Sequence, residues 1–303
     1  MTRHSAFIAV IGAPNAGKST LVNALVGAKV SIVTQKVQTT RARIRGIAVE
    51  GDAQLVFTDT PGIFAPRRRL DRAMVAAAWE GIEGADAILH VVDAAAELSG
   101  PSKSTADTET IITELKKRGR KAVLVLNKID KVARPNLLKL IAGMSAHGVY
   151  EETFLISAAN GDGVVDLKKH LAARAPAGEW MYPEDQLSDI SDRLMAAEVT
   201  REKIFKRLHQ ELPYESTVET TSWTRTKKGE LRIEQTIYVS REGHRPIVLG
   251  KGGQTLKAIG EAAREELSEI FGEPVHLFLT VNVREGWADE AARYREMGLD
   301  IVD

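Results

Sequence analysis

The amino-acid sequence predicts an α/β chain in two parts. The larger part carries a mixed, mostly parallel sheet, and a smaller α+β unit follows it. Three observations lead there. Apolar, strand-like runs alternate with helical patterns from residue 6 to about 173, as expected of a sheet covered by helices on both faces. A glycine-rich turn, Gly12-Ala13-Pro14-Asn15-Ala16-Gly17-Lys18-Ser19, joins the first of those runs to the first helical pattern. Beyond Arg174 the composition changes, and the order becomes helix, strand, strand, turn, helix, strand. These features place a first domain at 1–175, a linker at 176–191 and a second domain at 192–303.

A chain of 303 residues is expected to hold about two domains with ample core. Its 41 Lys plus Arg balance its 41 Asp plus Glu, so only the distribution of charge can point to a partner. The absence of cysteine excludes disulfides, thiolate nucleophiles and cysteine metal sites, and suits a reducing compartment. No apolar run approaches the roughly 18 residues of a spanning helix. Met1–Ser5 leads directly into the first strand, with no room for a signal or transit peptide. A cytoplasmic protein is expected.

The turn fits G-x-x-x-x-G-K-[ST], and its setting matters as much as its letters. Phe7-Ile8-Ala9-Val10-Ile11 precedes it as a strand, and Thr20-Leu21-Val22-Asn23-Ala24-Leu25-Val26 continues it as a helix. Between strand and helix, such a loop is a phosphate cradle rather than a chance turn. Its glycines let backbone N–H groups turn inward around phosphate oxygens, and the new helix adds its positive end. Lys18 carries a charge to the β- and γ-phosphates, and the Ser19 hydroxyl ligates Mg²⁺. Gly12 to Thr20 are therefore nucleotide-binding candidates.

Ligands of such sheets sit beyond the strand carboxyl ends. Asp59-Thr60-Pro61-Gly62 ends the third strand-like run. Asp59 there can hold Mg²⁺, directly or through water, and the Gly62 N–H can approach a terminal phosphate. Asn127-Lys128-Ile129-Asp130 ends the run Val123–Leu126 and fits N-K-x-D. Guanine offers two donors, N1–H and the 2-amino group, that one carboxylate can accept together; adenine has no such pair. Asp130 is the expected base reader, and the aliphatic stem of Lys128 lies against the base. Ser157-Ala158-Ala159-Asn160-Gly161 ends the last strand of this half, with the Ala158 N–H placed to donate to guanine O6. Between the first helix and the second strand, Lys36-Val37-Gln38-Thr39-Thr40-Arg41 offers a threonine that closes on Mg²⁺ only when a third phosphate is present. Thr40 is the preferred candidate and Thr39 the alternative. Lys18, Thr40, Asp59 and Gly62 form the catalytic set, and Ser19, Thr40 and Asp59 the metal set. Arg67-Arg68-Arg69 reads better as a solvated loop than as a phosphate contact, and His90 better as a core histidine than as a catalyst.

In the second half, residues 192–210 show helical periodicity, and Thr217–Trp223 and Leu231–Val239 read as strands around a Lys227-Lys228-Gly229 turn. Ile247–Gly253 contains Gly250-Lys251-Gly252-Gly253, a G-x-x-G turn. A helix follows over 254–271, then a strand over 275–281. A G-x-x-G turn lets backbone and a lysine clamp single-stranded nucleic acid. Charge is segregated here. Residues 223–257 hold eight Lys/Arg against three acids, whereas 258–303 hold four against eleven. A basic stripe of this kind fits RNA contact. Arg241, Arg245, Lys251 and Lys257, with Gly250, Gly252 and Gly253, are the RNA-binding candidates.

The strings GAPNAGKST, KVQTTR, DTPGIF, NKID and SAANG, in that order, resemble those of the Era family of translation-factor-like GTPases. The second half resembles a type II KH domain, which that family carries in this position, and Trp287 fits as well. The resemblance covers roughly residues 5–290. It implies a P-loop G domain followed by a KH domain, with GTP/GDP and Mg²⁺ as cofactors. It further implies binding to the 3′ end of 16S rRNA during small (30S) subunit assembly, and a monomer. One departure from Ras-like enzymes is Ile63, where those carry a water-orienting glutamine. An isoleucine cannot orient water by hydrogen bonding, so slow unaided hydrolysis is expected, with the water placed by backbone, a bound cation or a partner. The competing readings are an adenine-nucleotide enzyme, which N-K-x-D argues against, and a GTPase whose second domain recruits a protein or a membrane. The family is reported to associate peripherally with membranes, at the inner membrane here, but no amphipathic anchor stands out.

Overall fold

The computed structural model describes residues 2–300, which divide into two compact units: residues up to 189 together with 297–300, and residues 190–296. In the first unit the chain runs β1 (His4–Ile11), α1 (Lys18–Val26), β2 (Ile44–Glu50), β3 (Ala53–Asp59), α2 (Arg69–Glu83), β4 (Ala87–Asp93), α3 (Ala94–Leu98) and α4 (Lys103–Lys117). It continues with β5 (Ala122–Asn127), α5 (Arg134–Ser145), β6 (Tyr150–Leu155) and α6 (Val164–Arg174). The sheet order is β2-β3-β1-β4-β5-β6. Only the β2–β3 pair is antiparallel, because the Gly51-Asp52 turn joins them directly; the other neighbours need helical crossovers and run parallel.

Both faces of the central strands are buried, which explains why β5 reads as an apolar run and why β3 is apolar on both faces at Leu55-Val56-Phe57. One face packs on Leu21, Val22 and Leu25 of α1 and on Leu167 and Leu171 of α6. The other packs on Ala78 and Ile82 of α2, on Ile111, Ile112 and Leu115 of α4, and on Leu137 and Met144 of α5. The carboxyl ends of β1, β3, β4 and β5 thereby converge at one rim, where the motifs lie.

The stretch expected as a linker from 176 is instead strapped to the first unit as far as 189. Gln54, fully buried in β3, holds it with both ends of its amide. Its Oε1 accepts from the Met181 and Tyr182 N–H groups at 2.9 and 3.0 Å, and its Nε2 donates to the Tyr182 carbonyl at 2.8 Å. Further on, the Ile47 N–H donates to the Leu187 carbonyl at 2.8 Å and the Asp189 N–H to the Arg45 carbonyl at 3.3 Å, so residues 187–189 pair along β2. Backbone groups that need partners found them here, which composition does not reveal.

The second unit runs α7 (Asp192–Arg207), β7 (Ser216–Arg225), β8 (Leu231–Val239), α8 (Arg245–Leu249), α9 (Gln254–Phe271), β9 (Val275–Val283) and α10 (Ala291–Glu296). Its sheet order is β7-β8-β9, the first pair antiparallel and the second parallel, with α8 and α9 as the crossover. That is the type II KH arrangement expected. Ala197 and Ile204 of α7, Ile233 and Ile237 of β8, and Ile259, Ala263 and Leu267 of α9 form its core. Helix α7 stops at Arg207 rather than 210. Leu208 is extended and Gln210 adopts a left-handed φ of 55°, while Leu208 and Leu212 still reach the core. The helical spacing there reflected burial, not helix. Trp287 is 2% exposed, its indole N–H shared between the Ser240 hydroxyl at 3.2 Å and the Glu215 carbonyl at 3.3 Å.

Candidate nucleotide site and nucleic-acid interface

The P-loop runs from the end of β1 into α1. Gly17 caps α1 with φ 98° and the Asn127 amide lies against it: a Cβ there would sit 2.2 Å from Nδ2. Only glycine permits both conditions. Lys18 is 6% exposed and its ammonium donates to the Gly12 and Ala13 carbonyls, each at 3.0 Å. Burial pushes that ammonium down to about 8, and the charge of Asp59 holds back part of the fall. The ion thus lies inside the loop, where a phosphate would stabilise its charge.

The metal candidates come together. The Ser19 and Thr40 hydroxyls lie 2.8 Å apart. Asp59 is completely buried, and burial pushes its carboxyl up, against the nearby Ser19 and Ser31 hydroxyls, the Lys18 charge and the Thr40 hydroxyl. Neither of its oxygens has a hydrogen bond of good geometry among the described residues. A buried carboxylate with open lone pairs beside two hydroxyls is an oxygen donor set suited to a hard divalent cation, and it fits Mg²⁺. Thr39 is committed elsewhere: its hydroxyl meets Thr34 Oγ1 at 2.6 Å and donates to the Lys36 carbonyl at 2.8 Å. Between the two threonines, the geometry favours Thr40.

The D-x-x-G turn leans on the P-loop. The Ile63 N–H donates to the Gly12 carbonyl at 3.1 Å, and Gly62 lies so close to Pro14 that a Cβ would fall 2.9 Å from its Cα. Ile63 itself is 1% exposed and packs in the core beside Ile11 and Ala78, so its side chain points away from the phosphate rim. The Thr60 side chain also points inward, its hydroxyl donating to the Val10 carbonyl at 2.8 Å; only its backbone and that of Pro61 are left for a nucleotide.

Asn127 wires the base end. Its Nδ2 donates to the Ala16 carbonyl at 2.9 Å, and its Oδ1 accepts from the Lys128 and Ala158 N–H groups at 2.8 and 3.0 Å. The Ala158 N–H, expected to face guanine O6, is directed at this amide instead, because the buried Oδ1 needs a donor. Ala159, one residue further, is exposed. Lys128 adopts φ 64° and stretches its ammonium to the Asn15 carbonyl at 2.7 Å and to Asp93 Oδ2 at 2.5 Å, which holds its stem in place. Asp93, at the end of β4, was not singled out from sequence; an acid at a strand's carboxyl end was the available signal. Asp130 is exposed in a short 3₁₀ turn, with no hydrogen bond or ion pair among the described residues. Ser157 is buried, its hydroxyl without a partner among the described residues, and its backbone braces the turn: its N–H donates to the Asp162 carbonyl at 3.0 Å and its carbonyl accepts from the Gly161 N–H at 2.9 Å. His90 is buried beside Tyr150, Nδ1 to hydroxyl at 2.9 Å, and burial then the Lys18 charge push it down to about 3: a neutral core histidine. Arg67 to Arg69 precede and open α2, and the N–H groups of Arg67 and Arg68 are capped by Asp71 at 3.1 Å.

In the second unit, Gly250, Gly252 and Gly253 have φ of 74°, 59° and 79°, conformations that side chains resist, and they carry the chain sharply from α8 into α9. Around this turn Arg241, Arg245 and Lys251 make no ion pair among the described residues, and Lys257 reaches Glu261 only at 3.9 Å. The basic stripe is shorter than its residue count. Arg225 is bidentate to Glu273 at 2.7 and 2.9 Å, and Arg232 pairs with Glu234 at 2.7 Å. Of the six cations that remain, Arg241, Arg245, Lys251 and Lys257 lie around the G-x-x-G turn, and Lys227 and Lys228 lie in the β7–β8 hairpin.

Comparison with known proteins agrees with this geometry. A family model described as "50S ribosome-binding GTPase" matches residues 7–128, and one described as "KH domain" matches residues 211–288. GTPase Era of Caulobacter vibrioides is 58% identical over 302 residues, covering 97% of this chain and 96% of that protein. GTPase Era of Rhizobium meliloti is also 58% identical, over 98% and 93%. Among solved structures, Era in complex with MgGDPNP and nucleotides 1506–1542 of 16S ribosomal RNA aligns over 98% of this chain and 99% of that one, with 37% identity and a TM-score of 0.89. A substituted Aquifex aeolicus Era bound to GDP·AlF4⁻ aligns over 97% and 99%, with 37% identity and a TM-score of 0.88. Shared along essentially its whole length with such relatives, and carrying both their domains, the chain belongs to the Era family and is a GTPase.

Proposed function

We propose that this GTPase is a nucleotide-controlled RNA switch. It binds the 3′ end of 16S rRNA through its second domain and assists assembly of the small (30S) ribosomal subunit. The observation that carries this reading is the set of cations Arg241, Arg245 and Lys251, without ion pairs among the described residues, around a G-x-x-G turn. It sits in a chain that aligns end to end with Era in complex with MgGDPNP and 16S rRNA nucleotides. Such a role places the protein in the cytoplasm.

In hydrolysis, water attacks the γ-phosphorus and the β–γ bridging bond breaks, so charge moves onto the leaving diphosphate. Lys18 and the P-loop N–H groups bind the β- and γ-oxygens and stabilise that charge. Ser19, Thr40 and Asp59 would hold Mg²⁺, which when bound would add positive charge to the triphosphate. Thr40 joins the site from the loop before β2 and so reports the third phosphate. Asp130 selects guanine, and Lys128, stretched between Asn15 and Asp93, flanks the base. Ile63 takes no part in placing the water, since its side chain is in the core. Turnover without a partner is accordingly slow.

The test is a titration of the full chain, loaded with GDP or a non-hydrolysed GTP analogue, against single-stranded RNA matching the 16S 3′ end and a scrambled control. Gly252→Asp is run beside it. Sequence-dependent binding that favours the triphosphate state and vanishes in the variant supports the reading. Salt-sensitive binding without sequence preference, or no binding, removes it and leaves the GTPase intact.

A further inference from the structure

Three residues after Thr40, Arg43 brings its side chain to a cleft of about 250 Å³ on the first unit. The cleft has nothing to do with the P-loop rim. Its floor is the α2-facing side of β1 and β3, where Phe7, Ala9 and Thr58 lie, and one wall is the last turns of α2 with Gly81. Arg43 and Arg45 form the opposite wall.

Arg43 is in an unusual state. Its Nε is buried with no hydrogen-bond partner, and no carboxylate pairs with its guanidinium among the described residues. Its Nη2 stands 3.9 Å from where a Gly81 side chain would begin, so the absence of a side chain at 81 keeps the space beside it open. The backbone of Arg43 is held, its N–H donating to the Met297 carbonyl at 3.0 Å. Arg45 is held too, donating to the Tyr182 hydroxyl at 3.1 Å and lying 3.7 Å from Asp189, with other N–H groups left over. Glu80 sits at the exposed rim, where solvent screens it. Arg43 as a whole is half-buried, but a guanidinium N–H buried without an acceptor among the described residues is unfavourable by itself, and proteins resolve that with a counter-ion or a ligand. Two guanidinium forks beside a threonine match the several acceptor oxygens of one tetrahedral anion.

We propose that this cleft is a second oxyanion site, for a phosphate group, held by Arg43 and Arg45 and separate from the nucleotide site. Because Arg43 ends the loop that carries Thr40, an anion bound here fixes the far end of that loop. The phosphate can come from a free ion or from an RNA backbone.

The test uses the full chain saturated with Mg-GDP, so that the P-loop is filled, with ¹⁵N-labelled arginine. Inorganic phosphate is titrated at constant ionic strength against chloride, and the Arg43 Nε–H signal is identified by its loss in Arg43→Lys. A saturable shift of the Arg43 and Arg45 signals in phosphate but not in chloride is expected. In Arg43→Lys the Arg45 shift should lose saturation while GDP affinity stays unchanged. If inorganic phosphate is silent but a short single-stranded RNA moves the same signals saturably, the site takes backbone phosphate. If neither ligand moves them, or phosphate and chloride act alike, the proposal is overturned.

Discussion

Asn127 Nδ2 donates to the carbonyl of Ala16 at 2.9 Å, across 111 residues of chain, and so ties the base-reading turn to the phosphate loop. The same amide accepts from Ala158, making it the joint of three loops. Asn127→Ala removes these bonds and leaves buried donors unpaired. GDP and GTP affinity should both fall by about 2–4 kcal/mol, roughly 30- to 1,000-fold, in calorimetric titration. A loss confined to GTP would contradict the joint.

Asp130→Asn exchanges an acceptor pair for a mixed amide. It should weaken guanine nucleotides by more than about a hundredfold and turn preference toward xanthosine nucleotides, whose base has a carbonyl where guanine has an amine. Competition binding of the two diphosphates checks this. Unchanged GDP affinity would remove Asp130 from the base pocket.

His90 makes acid unfolding steeper. Its folded value of about 3 lies below its ordinary 6.5, so the unfolded chain takes up the proton first. The stability it contributes is complete above pH 6.5 and is lost as pH falls toward 3, by about 1.4 kcal/mol per pH unit. In His90→Phe the pH dependence of urea unfolding between pH 6 and 4 should flatten by nearly one proton. An identical slope would mean that His90 titrates normally.

The residual charge pattern makes a prediction by contrast. Lys251→Ala and Arg245→Ala should each lower the slope of log affinity for RNA against log salt by about one. Arg225→Ala and Arg232→Ala, whose charges already face Glu273 and Glu234, should change it little. Equal effects from all four would show that the pairs open on binding.

Gln54→Ala should release the strap. Three hydrogen bonds from a buried amide are lost, about 2–4 kcal/mol of local stability. The Met181 and Tyr182 amides should exchange faster and limited proteolysis should cut within 180–189, with GDP affinity unchanged. Protection as in the parent chain would leave the strap anchored by its other contacts.

The parts of this molecule legible in sequence are those set by local chemistry. The cradle from Gly12 to Ser19 needs its glycines at fixed places, and the helix from Gln254 to Phe271 is bracketed by Gly253 and Gly272, both left-handed. What escaped was decided by distant partners. The sequence prefers Thr40 but leaves Thr39 open until one is seen bonded within its loop and the other beside Ser19. The charge of Arg225 counts toward a basic stripe until Glu273, 48 residues away, is found against it. The segment after 176 has the composition of a linker, and the buried amide of Gln54 with the pairing along β2 shows why it is held. Ala158 showed the same limit: its N–H goes to Asn127 because a buried acceptor was waiting there.

The pairing of residues 187–189 along β2 also has a colloidal meaning. Strand β2 ends the six-stranded sheet, and a bare terminal strand offers unpaired N–H and C=O groups to any other chain. Here the protein's own backbone takes those places before a neighbour can. A fragment cut at 175 would keep every nucleotide motif but present that strand to solution, and self-association would follow from the missing cover rather than from any defect in the domain.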